Sequence, residues 1–219
     1  MSKAHILPSQ RIKRLVFVIL AFTLYPLLSG CTFTKQINTD ESQVSFPKQR
    51  EAQLAMLQHW KVKGKIAFIT PSKKESAGLS WHVNEISQSQ QLNLNSYLGI
   101  NVLDLNSQAG KHTIKVDGKT YHGTNLSQLI YDLTGLTLPI HALNYWLKGI
   151  AYKSNDEILL NEKTHLPFQL TSLYQGRLWQ IKYEKYKTFK TIQLPTKISI
   201  RQDDLLIKFS INNWQVLPN

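Results

Sequence analysis

The chain has 219 residues, of which 26 are lysine or arginine and 14 are aspartate or glutamate, so its formal net charge is +12. A single cysteine excludes an internal disulfide, and the fold must therefore be held together by packing. The sequence contains no nucleophile elbow, glycine-rich phosphate loop or metal-ligand spacing of histidine and cysteine, so it predicts no catalytic residue, no metal and no cofactor.

The first thirty residues have the layout of an export signal. A segment with four basic residues and no acid is followed by an apolar run over residues 15–28. The motif Leu28-Ser29-Gly30-Cys31 comes next, in which two small residues admit a peptidase and the cysteine supplies a thiol for acylation. We therefore predict that residues 1–30 are removed and that Cys31 carries the lipid. The alternative is an uncleaved transmembrane anchor over residues 15–34.

Removal of the signal leaves 22 basic and 14 acidic residues, so the mature chain has a net charge of +8. A basic, exported and lipid-anchored domain indicates an anionic membrane surface or an acidic protein as its partner. Nucleic acid is not expected as a partner, because export separates the protein from nucleic acid and no recognition motif is present. Thr32 follows Cys31 in place of the Asp that favours retention in the inner membrane, so the predicted location is the outer membrane.

Two segments are predicted after the signal: a polar, flexible tether over residues 31–47 and one domain over residues 48–219. The domain is predicted to begin with a short amphipathic helix over residues 48–60. Apolar and polar residues then alternate, which is typical of antiparallel strands buried on one face. These strands are predicted at residues 62–69, 78–83, 91–95, 102–105 and 112–116.

After residue 118 the spacing of apolar residues changes from that of a strand to that of a helix. Four apolar residues between 126 and 133 have helical spacing, with Asn125 as the N-cap and Gly135 as the stop. A second helix is predicted from Pro139 to Gly149. Pro195 is predicted to lie at a bend or bulge rather than in a central strand. Strands return after Asn161, at residues 169–174, 178–183, 190–194, 197–200 and 205–211.

About ten strands with one apolar face should curl into a barrel or a strongly bent sheet, because curling hides that face and most strand edges. A sandwich filled by its own side chains is the alternative. Five tryptophans are candidates to line the interior of a barrel, although aromatic residues in strands more often belong to an ordinary core. They are Trp60, Trp81, Trp146, Trp179 and Trp214.

The order of these features resembles that of the LolB family of outer-membrane lipoproteins, and the resemblance covers nearly all of the mature chain. It is carried by Gly-Lys-Ile-Ala-Phe at residues 64–68, Leu98-Gly99 ahead of an alternating strand, the apolar residues of 139–149 and the final Asn213-Trp214. The fold it implies is mainly β with α: an incomplete, unclosed antiparallel β-barrel of about ten to eleven strands, with helices capping an apolar cavity.

The resemblance also implies a function. It describes a monomeric receptor on the outer membrane, facing the periplasm, that accepts lipoproteins from a LolA-like periplasmic carrier. The receptor binds the acyl chains of these clients and inserts them into outer-membrane lipid. Leu98 corresponds to the protruding, membrane-active leucine of the family, whereas sequence reasoning alone leaves it equally able to fold into the core. Two other interpretations stay open: a non-catalytic scaffold for envelope assembly, and an acyl esterase.

Overall fold

The computed structural model describes residues 41–217, with side chains from Lys48 onward, so Cys31 and the signal segment lie outside the described residues. Its first helix, α1, is Glu41–Ala55. The sequence predicts this helix at residues 48–60, and that prediction is wrong at both ends. Trp60 lies in the first strand instead, because it is buried two residues before the equally buried Val62, which is the period of a strand and not of a helix.

The described part of the chain forms one antiparallel sheet of eleven strands. Its order is β6-β5-β4-β3-β2-β1-β11-β10-β9-β8-β7, so it is a meander joined through the first and last strands. The end strands β6 and β7 are not paired with each other, which confirms the predicted unclosed barrel. The strands are β1 (His59–Ile69), β2 (Lys74–Asn84), β3 (Ser89–Asn95), β4 (Asn101–Gln108), β5 (Lys111–Val116), β6 (Lys119–Gly123), β7 (Glu157–Leu160), β8 (Pro167–Tyr174), β9 (Arg177–Phe189), β10 (Ile192–Gln202) and β11 (Leu205–Val216).

Two helices connect the two end strands of the sheet. The first, α2 (Leu126–Thr134), begins where the Asn125 side chain accepts a hydrogen bond from the backbone N–H of Gln128, and ends at Gly135 in the left-handed conformation. Both caps confirm the prediction. The second, α3 (Ile140–Trp146), is shorter than predicted because the chain turns away at residues 147–149.

Three details of the sheet differ from the sequence prediction. Neither β6 nor β7 is predicted, because both are short edge strands without a clear alternation of apolar residues. The two strands predicted at 190–194 and 197–200 are one continuous strand, β10. Pro195 lies within β10, which is paired with both β9 and β11, so the prediction that it lies outside a central strand is wrong. It does lie at a shift in register, as predicted, since a residue without an N–H cannot donate to a regular ladder.

One of the segments that carry the family resemblance, residues 64–68, requires the glycine at its first position, Gly64. It lies in β1 at a register shift opposite β11. A Cβ atom at this position would overlap the carbonyl oxygen of Ser210. The backbones of the first and last strands approach so closely here that no side chain fits between them.

Buried side chains share one side of the sheet, which we call the inner face; the opposite side is the outer face. The apolar residues of the inner face form a single core together with residues of α1, α2 and α3. No helix within residues 41–217 has the length and apolar character needed to cross a bilayer.

Candidate lipid-binding site

All five tryptophans lie on the inner face or pack against it, and each is at most 3% exposed. The ring of Trp60 lies 5.7 Å from that of Trp81 and 5.4 Å from that of Trp214, measured between centroids. On the other half of the sheet, Trp146 of α3 lies 5.8 Å from Trp179 of β9. The inner face therefore offers a continuous aromatic and aliphatic surface, on which an alkyl chain can be shielded from water.

Side chains of α2 and α3 cover this surface. Ile130, Leu143 and Trp146 are buried in the same core as the strands. The hydroxyl of Tyr183 on β9 donates a 2.9 Å hydrogen bond to the carbonyl oxygen of Trp146. Burial raises the pKa of Tyr183 well above its ordinary value, so the hydroxyl keeps its proton and stays a donor. The interior is thus filled by helix side chains that rest on the sheet.

A buried lysine fixes the chain just beyond α3. The Lys148 side chain is fully buried, and its Nζ donates to the carbonyl oxygen of Leu57 at 3.1 Å and to a carboxylate oxygen of Glu85 at 3.2 Å. Burial lowers the pKa of Lys148, and the Glu85 carboxylate opposes that shift. Because a buried ammonium is tolerated only with such partners, this end of α3 is tied to the sheet and to the end of α1.

Arg50 of α1 makes a second tie at the same place. Its guanidinium donates to the carbonyl oxygens of Gly149 at 3.1 Å, Lys148 at 3.2 Å and Gln193 at 3.2 Å. It also lies over the ring of Tyr186, with its carbon 5.8 Å from the ring centroid. One side chain therefore joins α1, the segment after α3 and β10. The sequence does not single out Arg50 or Lys148, because their partners are distant along the chain and are mostly backbone carbonyl groups, which any residue could supply.

One open hollow of the surface, of about 510 Å³, is a poor site for alkyl chains because its lining includes Glu51, Lys153 and Asp156. Charged walls lose hydration when an apolar chain covers them, which opposes its binding. The covered inner face is therefore the better candidate.

Leu98 lies at the tip of the hairpin between β3 and β4. Gly99 donates its backbone N–H to the carbonyl oxygen of Ser96 at 3.0 Å, and Ser96 donates to that of Ile100 at 2.7 Å. Gly99 has a φ of 78°, the left-handed conformation that closes such a turn. This geometry holds Leu98 away from the core, and its side chain is 80% exposed.

The residues around Leu98 are also apolar and exposed. Tyr97 is 97% and Ile100 is 64% exposed, and Val102 follows on the outer face of β4. Four neighbouring apolar side chains at one hairpin tip have no packing role, so they indicate a surface that meets another apolar phase.

The register places this tip at one end of the sheet. The start of β2 and the end of β3 lie there, since Gly78 pairs with Asn95. The turns from β1 to β2, from β8 to β9 and from β10 to β11 lie at the same end, because all strands are antiparallel. We call this the Leu98 end.

The outer face is basic. Among the described side chains, the lysines that form ion pairs are Lys73, with Glu75, and Lys148, with Glu85. The other lysines of the central strands therefore present their charge to solvent, and this charge acts on anions over a distance of about 8–10 Å at ordinary salt. On the outer face these lysines are Lys61, Lys63 and Lys65 of β1, Lys182 of β9, Lys197 of β10 and Lys208 of β11.

Comparison with known families agrees with this geometry. The family model described as "Outer membrane lipoprotein LolB" matches residues 58–214, which is most of the chain. The chain belongs to this family. An outer-membrane lipoprotein LolB of Aeromonas salmonicida is 34% identical over 197 residues, covering 90% of this chain and 95% of the relative. That of Psychromonas ingrahamii is 33% identical over 165 residues, covering 75% and 79%.

Solved structures show the same fold at much lower identity. A LolA superfamily protein from Nitrosomonas europaea superposes with a TM-score of 0.50 at 9% identity, over 79% of this chain and 94% of that one. The LolB family member described here therefore shares the LolA-type architecture.

Family membership confirms three expectations from the sequence. The protein is an outer-membrane lipoprotein, it takes part in lipoprotein localisation, and it is not an enzyme. Residues 48–217 also contain no cluster of three acidic, histidine or cysteine side chains that could hold a metal. Acylation of Cys31 and the role of Leu98 stay predictions.

Proposed function

We propose that this protein is the outer-membrane receptor that accepts lipoproteins from a LolA-like periplasmic carrier and inserts them into the membrane. The observation that carries the proposal is the apolar inner face of an open sheet, covered by two short helices. Family membership supports the same function.

The inner face binds the acyl chains of the client. Each buried methylene group is worth ~0.8 kcal/mol, so a lipid-modified protein cannot cross water with its chains exposed. Direct exchange between two apolar surfaces avoids that cost. Transfer needs no nucleotide if the receptor binds the chains somewhat more tightly than the carrier, and the bilayer more tightly still.

The helices α2 and α3 are the part of the fold that opens. They connect β6 to β7, the two end strands, so their displacement breaks no pairing between strands. Lys148 and Arg50 hold the chain just after α3. The acyl chains therefore enter under α2 and the beginning of α3, where neither tie acts.

Leu98 and the apolar residues beside it contact the bilayer during release. The lipid on Cys31 localises the receptor, and the hairpin brings the Leu98 end of the sheet to the membrane surface. The basic outer face favours encounter with an acidic carrier, so raising the salt concentration should slow transfer.

A fluorescent fatty acid analogue tests the binding step. The mature chain with Cys31→Ala should bind it and enhance its emission, whereas a scaffold with a permanently packed core should leave the emission unchanged. Turnover of an acyl ester under the same conditions would instead indicate an esterase.

A further inference from the structure

Three polar groups on neighbouring side chains of β8, β9 and α3 are buried without a hydrogen-bond partner. They are the indole N–H groups of Trp146 and Trp179 and the hydroxyl of Ser172. Each of these residues is at most 1% exposed. Ser172 lies directly opposite Trp179 in the register of β8 and β9, and the ring of Trp146 lies against that of Trp179. The three side chains thus come from three elements and are neighbours in the core.

Their lack of partners needs an explanation. A buried donor that loses its bond to water and gains none in return destabilises the fold, and native proteins contain few of them. The sheet pairs other buried donors: the indole of Trp214 donates to the carbonyl oxygen of Pro195 at 2.9 Å, and that of Trp81 to Gln90 at 3.2 Å. The unpaired indole N–H of Trp60 lies beside these two paired indoles, whereas Ser172, Trp146 and Trp179 bring three unpaired groups together on neighbouring side chains.

We propose that these three residues form a polar subsite that receives the ester carbonyl groups of an acylated client, a conclusion that rests on the proposed function. An indole N–H donates and cannot accept, so the missing partner is an acceptor. A hydrocarbon chain has no acceptor, but the ester group at its head has a carbonyl oxygen. An acyl ester supplies the partner that the cluster lacks and alkyl chains for the apolar surface around it.

The position of the subsite also sets the orientation of the lipid. Ser172 and Trp179 are two pairs away from the last pair of β8 and β9, Tyr174 and Arg177. That hairpin turns at the Leu98 end of the sheet. The ester heads therefore lie towards the end that carries Leu98, and the alkyl chains extend along the inner face away from it.

A pair of ligands separates recognition of the carbonyl groups from burial of the chains. The probes are a synthetic diacylglyceryl-cysteine peptide and its dialkyl ether analogue, which has the same chains and no ester carbonyl. Each competes with the fluorescent fatty acid for the mature chain with Cys31→Ala. We expect the ester to bind about tenfold more tightly than the ether, as one or two hydrogen bonds in an apolar site provide.

Substitutions at the subsite should reduce this preference. Ser172→Ala and Trp179→Phe each remove one polar group, and the double variant, which keeps only the Trp146 N–H, should prefer the ester by no more than about threefold. Ser172→Ala alone should reduce the preference for the ester over the ether by at least half. It should leave the thermal unfolding midpoint unchanged, since it removes only an unpaired hydroxyl. Trp60→Phe is the matched control, because Trp60 also has an unpaired indole N–H but packs against Trp81 and Trp214.

The outcomes separate this inference from the proposed function. Equal binding of ester and ether by the unsubstituted chain would overturn the subsite while the receptor function stands. An equal loss of preference in the Trp60→Phe control would also overturn it. If neither lipid displaced the fluorescent probe, the receptor function itself would fail. A preference reduced only on substitution of Ser172 and Trp179 supports the subsite.

Discussion

Leu98→Glu should separate acceptance of a client from its release. Leu98 is 80% exposed and has no packing role, so the free energy of unfolding should change by no more than ~0.5 kcal/mol. Transfer of a leucine side chain from water into hydrocarbon is favourable by ~1.5–3 kcal/mol. Because the Leu98 side chain is exposed in the free protein, almost all of this free energy is gained when it enters the bilayer. Its loss should slow release into a bilayer by at least about tenfold, since each ~1.4 kcal/mol corresponds to a factor of ten.

The assay follows the two steps separately. A carrier loaded with a labelled lipoprotein is mixed with the receptor, and acceptance is measured by recovery of the label with the receptor. Release is then measured by flotation of the label with added liposomes. Gln108→Glu is the control, because it adds the same charge at an exposed position of β4 at the opposite end of the strand. Equal losses in both steps, or a similar defect in the control, would refute the assignment of Leu98 to release.

Three further predictions concern stability. Gly64→Ala should lower the free energy of unfolding by at least about 2 kcal/mol, because its Cβ would overlap a backbone carbonyl, whereas Gly78→Ala, whose Cβ makes an ordinary 3.6 Å contact, should cost much less. Denaturant unfolding of both variants checks this, and equal losses would contradict it. Asn125→Ala removes the cap of α2 and should cost ~1 kcal/mol in the same measurement; no change would show that the cap is dispensable. Burial, with the neighbouring positive charges, lowers the pKa of His82 below its ordinary value of 6.5. The unfolded chain therefore binds this proton more readily, so stability should fall as the pH drops below 6.5, and His82→Gln should reduce that fall.

Local signals in the sequence predict the parts of the fold that depend on neighbouring residues. Asn125 and Gly135 bound α2 because a cap and a left-handed stop act within a few residues. The central strands follow from alternation, which burial on one face requires. The sequence predicts a helix for Trp60 because good helix formers precede it, and only its pairing with β2 and β11 shows that it belongs to a strand.

The site depends on contacts between distant residues, which the sequence does not reveal. From the sequence, Lys148 is expected to be a surface lysine. It is buried instead, and its partners Leu57 and Glu85 lie 91 and 63 residues away along the chain. From the sequence, Ser172 and Trp179 are each expected to be ordinary strand residues. Only the register and the packing of α3 show that they are neighbours and that both of their polar groups lack a partner. Leu98 is the exception, since a large apolar residue inside a turn can be recognised from the sequence alone.

Photo-crosslinking from α2 tests the central claim most directly. Ile130 faces the core, whereas the next residue, Tyr131, is 51% exposed on the same helix. A photoreactive amino acid at each position, in receptor mixed with loaded carrier, reports which surface meets the acyl chains of the client. Crosslinks to the acyl chains from position 130 and none from position 131 are the predicted result. Crosslinks from position 131 alone, or from neither position while the client is still accepted, would contradict binding on the inner face.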